Sequence, residues 1–293
     1  MDRKAKLSRG EIDVGVAGRP DGRVVLLPGA KRSVYGKEAD ALLQWGVDPL
    51  LGERFVQGLA ESFRVVYFDY ESYLFSNPYP EGLTAERAAR DMLEIADAAE
   101  VGRFSYYGYS WLALVGLQVA IRTDRMESLV MGGFPPLDGP YAEMLEVTRR
   151  THELARQNWL RPGASVPPPE SPPSMEEHDW DSAPVTVDPQ VALQFRTLYE
   201  SLADFDDRRV QDKLGMPRLV FAGERDMIAY GERFGGVTVD IAGPIERHRR
   251  SMEQAGWRVE LLRGADMDHV KAMQPDAALP LIKPWLEKAL APR

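Results

Sequence analysis

Short runs rich in β-branched and apolar residues alternate along this chain with longer segments of helical length and spacing. Residues 11–17, 23–27, 64–69, 104–109, 128–132, 218–222 and 258–262 read as strands and tend to end at a Gly, Asp or Pro. Segments 39–62, 84–99, 110–122, 246–255 and 275–291 read as helices. Two parallel strands need a crossover of a dozen or more residues, usually a helix. The alternation therefore predicts an α/β fold, a mostly parallel sheet with helices on both faces. Thr84 stands in N-cap position before the second helical segment.

From about residue 135 to residue 204 no run of strand quality occurs. A helical segment at 141–159 leads into Pro167-Pro168-Pro169-Glu170-Ser171-Pro172-Pro173, and a second helical segment follows at 190–202. Proline removes a backbone donor and fixes φ, so the proline run reads as an extended loop. The expected organisation is one core domain, residues 1–134 and 205–293, with a helical cap inserted over 135–204.

A net charge of -9 opposes sequence-independent binding of nucleic acid, which needs a surplus of Lys and Arg. With no cysteine in the chain, a disulfide framework, a thiolate zinc site and a cysteine nucleophile are all excluded. The basic start, residues 1–10, lacks the apolar stretch of a signal peptide, and the longest nearly apolar run, 112–121, is far short of the ~20 residues of a membrane helix. A cytoplasmic protein is expected, bound to neither nucleic acid nor membrane, with a homodimer as the assembly to consider. Neither metal nor cofactor is expected. Glu176-Glu177-His178-Asp179-Trp180-Asp181 carries ligand residue types, but consecutive residues among prolines read as a solvated acidic loop. Gly235-Gly236 lacks the Lys-Ser/Thr continuation of a phosphate loop.

The informative stretch is Phe104-Ser105-Tyr106-Tyr107-Gly108-Tyr109-Ser110-Trp111-Leu112-Ala113, where a strand runs through Gly-x-Ser directly into an apolar helix. A serine hydroxyl is a weak nucleophile. It needs a nearby base and a turn that projects its oxygen clear of the backbone. A strand-to-helix turn supplies the projection and aims the first helical N–H groups at an oxyanion formed there.

This stretch resembles the nucleophile elbow of the α/β-hydrolase family, Gly-x-Ser-x-Gly, with Leu112 in place of the last glycine and Ala113 and Gly116 as the small residues nearby. The resemblance implies an acid and then a histidine, each after a later strand. Gly223-Glu224-Arg225-Asp226 follows strand 218–222, and Gly264-Ala265-Asp266-Met267-Asp268-His269 follows strand 258–262. The implied triad is Ser110, Asp226 and His269, with Glu224, Asp266 and Asp268 as rival acids. The alternative for Asp226 is a helix N-cap. The implied oxyanion hole joins the N–H of Trp111 to that of Ala30, in a loop Pro28-Gly29-Ala30 that has proline where the family has histidine. Residues 68–76 replace the family's Arg- and Gly-containing loop with an aromatic one. His152, His178 and His248 fall outside the strand-end pattern.

The activity implied is hydrolysis of a carboxylic ester or lactone through an acyl-enzyme on Ser110. Amidase, thioesterase, C–C hydrolase and acyltransferase chemistry remain open, as does a non-catalytic small-molecule binder on the same fold. A serine at the elbow argues against epoxide hydrolase and haloalkane dehalogenase chemistry, where the family uses aspartate. The aromatic-rich, proline-stiffened cap suggests a bulky, partly apolar substrate such as a macrocyclic or polyketide-like ester; along the chain Trp45, Trp111, Tyr141, Trp159 and Trp180 are pocket candidates, with core packing as the commoner use of such aromatics.

Overall fold

The computed structural model describes residues 3–160 and 185–291; the proline run and the acidic stretch with His178 and Trp180 lie outside the described residues. In chain order the elements are β1 (Arg3–Leu7), β2 (Gly10–Gly18), β3 (Val24–Leu27), α1 (Lys37–Gln44), α2 (Leu51–Ala60), β4 (Arg64–Tyr67), α3 (Tyr70–Ser76), α4 (Ala85–Ala98), β5 (Phe104–Tyr109), α5 (Trp111–Ala120) and β6 (Met126–Gly132). There follow α6 (Tyr141–Trp159), α7 (Pro189–Glu200), β7 (Arg218–Gly223), β8 (Met227–Ala229) and β9 (Thr238–Asp240). The chain closes through α8 (Ala242–Arg247), α9 (Arg249–Gln254), β10 (Trp257–Leu262), α10 (His269–Met273) and α11 (Pro275–Ala289).

Eight strands form one sheet in the order β1-β2-β4-β3-β5-β6-β7-β10. β2 is antiparallel to both β1 and β4, and every neighbouring pair from β4 to β10 is parallel. The central strands are apolar almost continuously because helices cover both faces. Side chains of α4 and α5 pack on one face, and Leu51, Phe55 and Leu59 of α2 with Ala278, Ile282 and Leu286 of α11 on the other. α5 is buried from Leu112 to Ala120, which is why its sequence is apolar all round and not amphipathic. Thr84 caps α4, its hydroxyl accepting the Arg87 N–H at 3.1 Å.

Several elements depart from the expected pattern. The single helix over 39–62 is two, α1 and α2, separated by Gly46 in a left-handed turn (φ 69°) and by Pro49, which has no N–H to continue a helix. The segment 246–255 is likewise two short helices that meet at His248. Residues 70–76 form α3 and not a loop, with the Asp69 carboxylate accepting the Ser72 N–H at 3.0 Å. β1 lies within the basic start: Ala5 and Leu7 are buried while Lys4 and Lys6 face out. α6 and α7 lie between β6 and β7 in the chain, pack on each other and take no part in the sheet.

Candidate active site

β5, β7 and β10 all end at the same edge of the sheet, so the residues that follow them converge there. Ser110 joins β5 to α5 with φ 56° and ψ −132°, a backbone conformation rarely adopted by a residue with a side chain. Two sets of contacts hold it there. Its own N–H donates to the Gly132 carbonyl at 2.8 Å, and the buried Tyr106 hydroxyl donates to the Leu112 carbonyl at 2.8 Å, pinning the first turn of α5. Gly108 allows the helix to come close, since a Cβ there would stand 2.4 Å from the Leu112 carbonyl oxygen and 2.8 Å from the Ala113 nitrogen. Gly116 does the same one turn on, where the Tyr106 ring fills the space a Cβ would need. Gly108→Ala is therefore expected to lower stability by about 1–3 kcal/mol, because the obstructing atoms are backbone. Urea denaturation checks this, and an unchanged midpoint would contradict the tight crossing.

The structure brings His269 and Asp226 together. Nδ1 of His269 lies 2.9 and 3.0 Å from the two carboxylate oxygens of Asp226, which is fully buried. Asp226 is not a helix N-cap. Its side chain faces the imidazole and its main-chain carbonyl accepts the N–H groups of Ile241 and Ala242 at 3.0 and 2.9 Å. The acid turn is stitched to the histidine loop by the Arg225 N–H, which donates to the Met267 carbonyl at 3.0 Å. Burial pushes the imidazole pKa down. The charge and hydrogen bond of Asp226, with a smaller contribution from Asp268, more than offset this, so His269 titrates above its ordinary value.

The rival acids have other partners. Asp268 caps α10 by accepting the Lys271 N–H at 2.8 Å, Asp266 pairs with Arg225 at 2.7 Å, and Glu224 accepts the Gly264 N–H at 3.2 Å. His152 lies between the two helices that follow β6, its Nδ1 3.4 Å from Arg196, and His248 contacts Asp138 at 3.1 Å.

The oxyanion loop differs from the expectation. The Ala30 N–H donates to the Phe68 carbonyl at 3.2 Å, part of a bridge between Gly29 and Asp69, so in this conformation it does not serve as a second oxyanion donor. The cause is the extended pairing of residues 28–30 with 68–70, in which Tyr70 N–H also donates to Pro28 at 3.0 Å. Trp111 sits at the first position of α5, where helix geometry offers its N–H no intrahelical acceptor. Leu112, in the family's glycine position, turns its side chain toward the β3 loop, with Cδ1 3.3 Å from where a Gly29 Cβ would be.

Ser110, Trp111 and His269 line one cavity of about 510 Å³. Of the aromatic pocket candidates, Trp111 alone among the described residues lines it. Tyr141 packs in the core between Phe134 and Phe205, and Trp159 is exposed. Tyr109 is a site residue that sequence reasoning missed. Its hydroxyl donates to the His269 carbonyl at 2.7 Å and its ring lies 5.0 Å from the imidazole, so it fixes the histidine from behind. The only signal was its place beside the serine. Among the described residues no helix is long and apolar enough to cross a membrane, and no cluster of potential metal ligands occurs.

No protein-family model matches the chain, and no curated protein matches it in sequence. Solved structures do. An enol-lactonase from Burkholderia xenovorans LB400 superposes with a TM-score of 0.56 at 20% identity, over 97% of this chain and 99% of that one. A thermophilic esterase from Thermogutta terrifontis gives 0.56 at 19% identity, over 99% and 100%. A bromoperoxidase from Bacillus anthracis gives 0.56 at 17% identity, over 98% and 100%. With the sheet order described above, these likenesses make this an α/β-hydrolase fold. The fold supports more than one chemistry, so the reaction has to be argued from the site.

Proposed function

We propose that the chain is a serine hydrolase that cleaves a carboxylic ester or lactone through an acyl-enzyme on Ser110. The observation that carries this reading is the pairing of His269 Nδ1 with both oxygens of the buried Asp226, with Ser110 on a strained turn in the same cavity. Asp226 holds the tautomer that leaves Nε2 free to act as base. Ser110 Oγ attacks the carbonyl carbon while Nε2 takes its proton, then returns that proton to the departing alkoxide oxygen. Water deacylates the serine by the same route in reverse. The Trp111 N–H faces the developing oxyanion. Helices α6 and α7 are read as a cap.

The commitment of Ala30 to Phe68 favours a second reading, a small-molecule binder on the same fold with an incomplete oxyanion hole. Labelling with a fluorophosphonate, followed by peptide mapping, separates the two. A single adduct on Ser110, absent from Ser110→Ala, is the expected result. No adduct on the folded protein would move the assignment to the binder.

A further inference from the structure

The cavity at Ser110 is walled as much by the segment between β3 and α2 as by the catalytic loops. Val34, Leu42 and Val47 of that segment, with Leu51 and Phe55 of α2, face Leu112 and Met273 from the catalytic side as its apolar lining, and among the described residues none from α6 or α7 reaches it. α1 carries Leu42, yet none of its eight residues is buried, so the core gains little from it. A helix that short normally depends on tertiary packing. Left-handed glycines flank it, Gly36 at φ 62° and Gly46 at φ 69°. A Cβ on Gly36 would meet nothing within 4 Å, and one on Gly46 only Val270, at 3.9 Å. These glycines answer a backbone requirement and not a packing one: the two turns set α1 beside the cavity. The base of the segment is tied down by the Val34 N–H on the Pro49 carbonyl (3.2 Å) and the Asp48 N–H on the Gln274 side chain (2.9 Å).

Apart from Asp69, whose carboxylate accepts the Ser72 N–H and hydroxyl at the start of α3, the acidic and basic side chains around the cavity are already ion-paired. Lys31 meets Glu71 at 3.0 Å, Arg32 meets Glu38 at 2.7 Å, and Asp48 meets Arg54. A charged substrate group would have to compete with one of these pairs as well as lose its own hydration, whereas a neutral one leaves them intact.

We propose that Val34, Leu42, Val47, Leu51 and Phe55 form the substrate-selecting wall of this site and take the aliphatic acyl chain of a neutral ester. The chemistry of that substrate rests on the reading of Ser110 as nucleophile; the affinity of the wall for an uncharged chain does not. On 4-nitrophenyl acetate, hexanoate and octanoate, kcat/KM is expected to rise about 100-fold from acetate to octanoate, as roughly half of the added methylenes leave water. Leu42→Trp should lower the octanoate-to-acetate ratio of kcat/KM about tenfold or more. Leu43→Trp, one position on in the same helix but exposed and outside the cavity, should leave that ratio unchanged. A flat chain-length series, or equal losses on acetate and octanoate in Leu42→Trp, overturns the proposal. Calorimetric binding of neutral octanamide to Ser110→Ala, with and without Leu42→Trp, tests the wall apart from the chemistry. Loss of binding in the double variant supports it even if no ester is cleaved, which would overturn only the serine reading. Absent or unchanged binding overturns the wall.

Discussion

Ser110→Ala is expected to lower kcat toward any ester substrate by on the order of 10⁴- to 10⁶-fold, with KM nearly unchanged. The size follows from the proposed mechanism: without Oγ no acyl-enzyme would form, and what remains would be water attacking a carbonyl polarised by the α5 N-terminus. Stability should move by less than about 1 kcal/mol, because the serine side chain makes no helix-capping bond and alanine meets the same positive φ. Activity measured on a purified variant beside a denaturation curve tests both halves. Residual turnover above about a tenth of wild type would place the nucleophile elsewhere. A loss of activity accompanied by unfolding would leave the elbow assignment without support from this variant, so the two measurements belong together.

The sheet was legible because parallel strands buried on both faces must be apolar throughout, and segments such as 104–109 and 218–222 have few other uses. The order of Ser110, Asp226 and His269 along the chain was legible for a related reason. Each follows a strand, and parallel strands deliver their C-terminal ends to one edge. What escaped depends on partners distant in sequence. β1 hides behind three basic residues, since a two-residue buried face over so short a run is a weak periodic signal. The break between α1 and α2 was marked by Gly46 and Pro49, but the apolar residues on both sides sustain helical spacing across it. The Ala30 N–H, expected to face an oxyanion, donates to Phe68 because it has a choice of acceptor. Which acceptor wins depends on how closely residues 68–70 approach, and no local pattern encodes that distance. The lining of the Ser110 cavity by residues 34–47 escaped for the same reason. Expectation placed substrate selection in the cap, whereas Val34, Leu42 and Val47 are brought to Ser110 by two left-handed turns and a hydrogen bond to Gln274.

Asp226→Asn is expected to cost about 10⁴-fold in kcat/KM near neutral pH and also to shift the pH dependence of what activity remains. Catalysis needs a neutral imidazole, so the wild-type rate falls as pH drops through the His269 pKa, which Asp226 holds above its ordinary value. Asparagine is nearly isosteric but uncharged. It no longer stabilises the imidazolium, while the burial that pushes the pKa down remains. The acid limb should therefore move to lower pH as the plateau falls. The plateau falls because an amide can donate to Nδ1, which favours the tautomer with its proton on Nε2, where the serine proton has to go. Asp268→Asn is the control. It keeps a side chain able to cap α10 and lies outside the Nδ1 contact, so a loss of less than about tenfold and little movement of the limb are expected. kcat/KM followed from acid to alkaline pH for both variants decides the assignment. If Asp268→Asn shifts the limb while Asp226→Asn leaves it in place, the carboxylate that matters is the neighbour in sequence and not the one in contact.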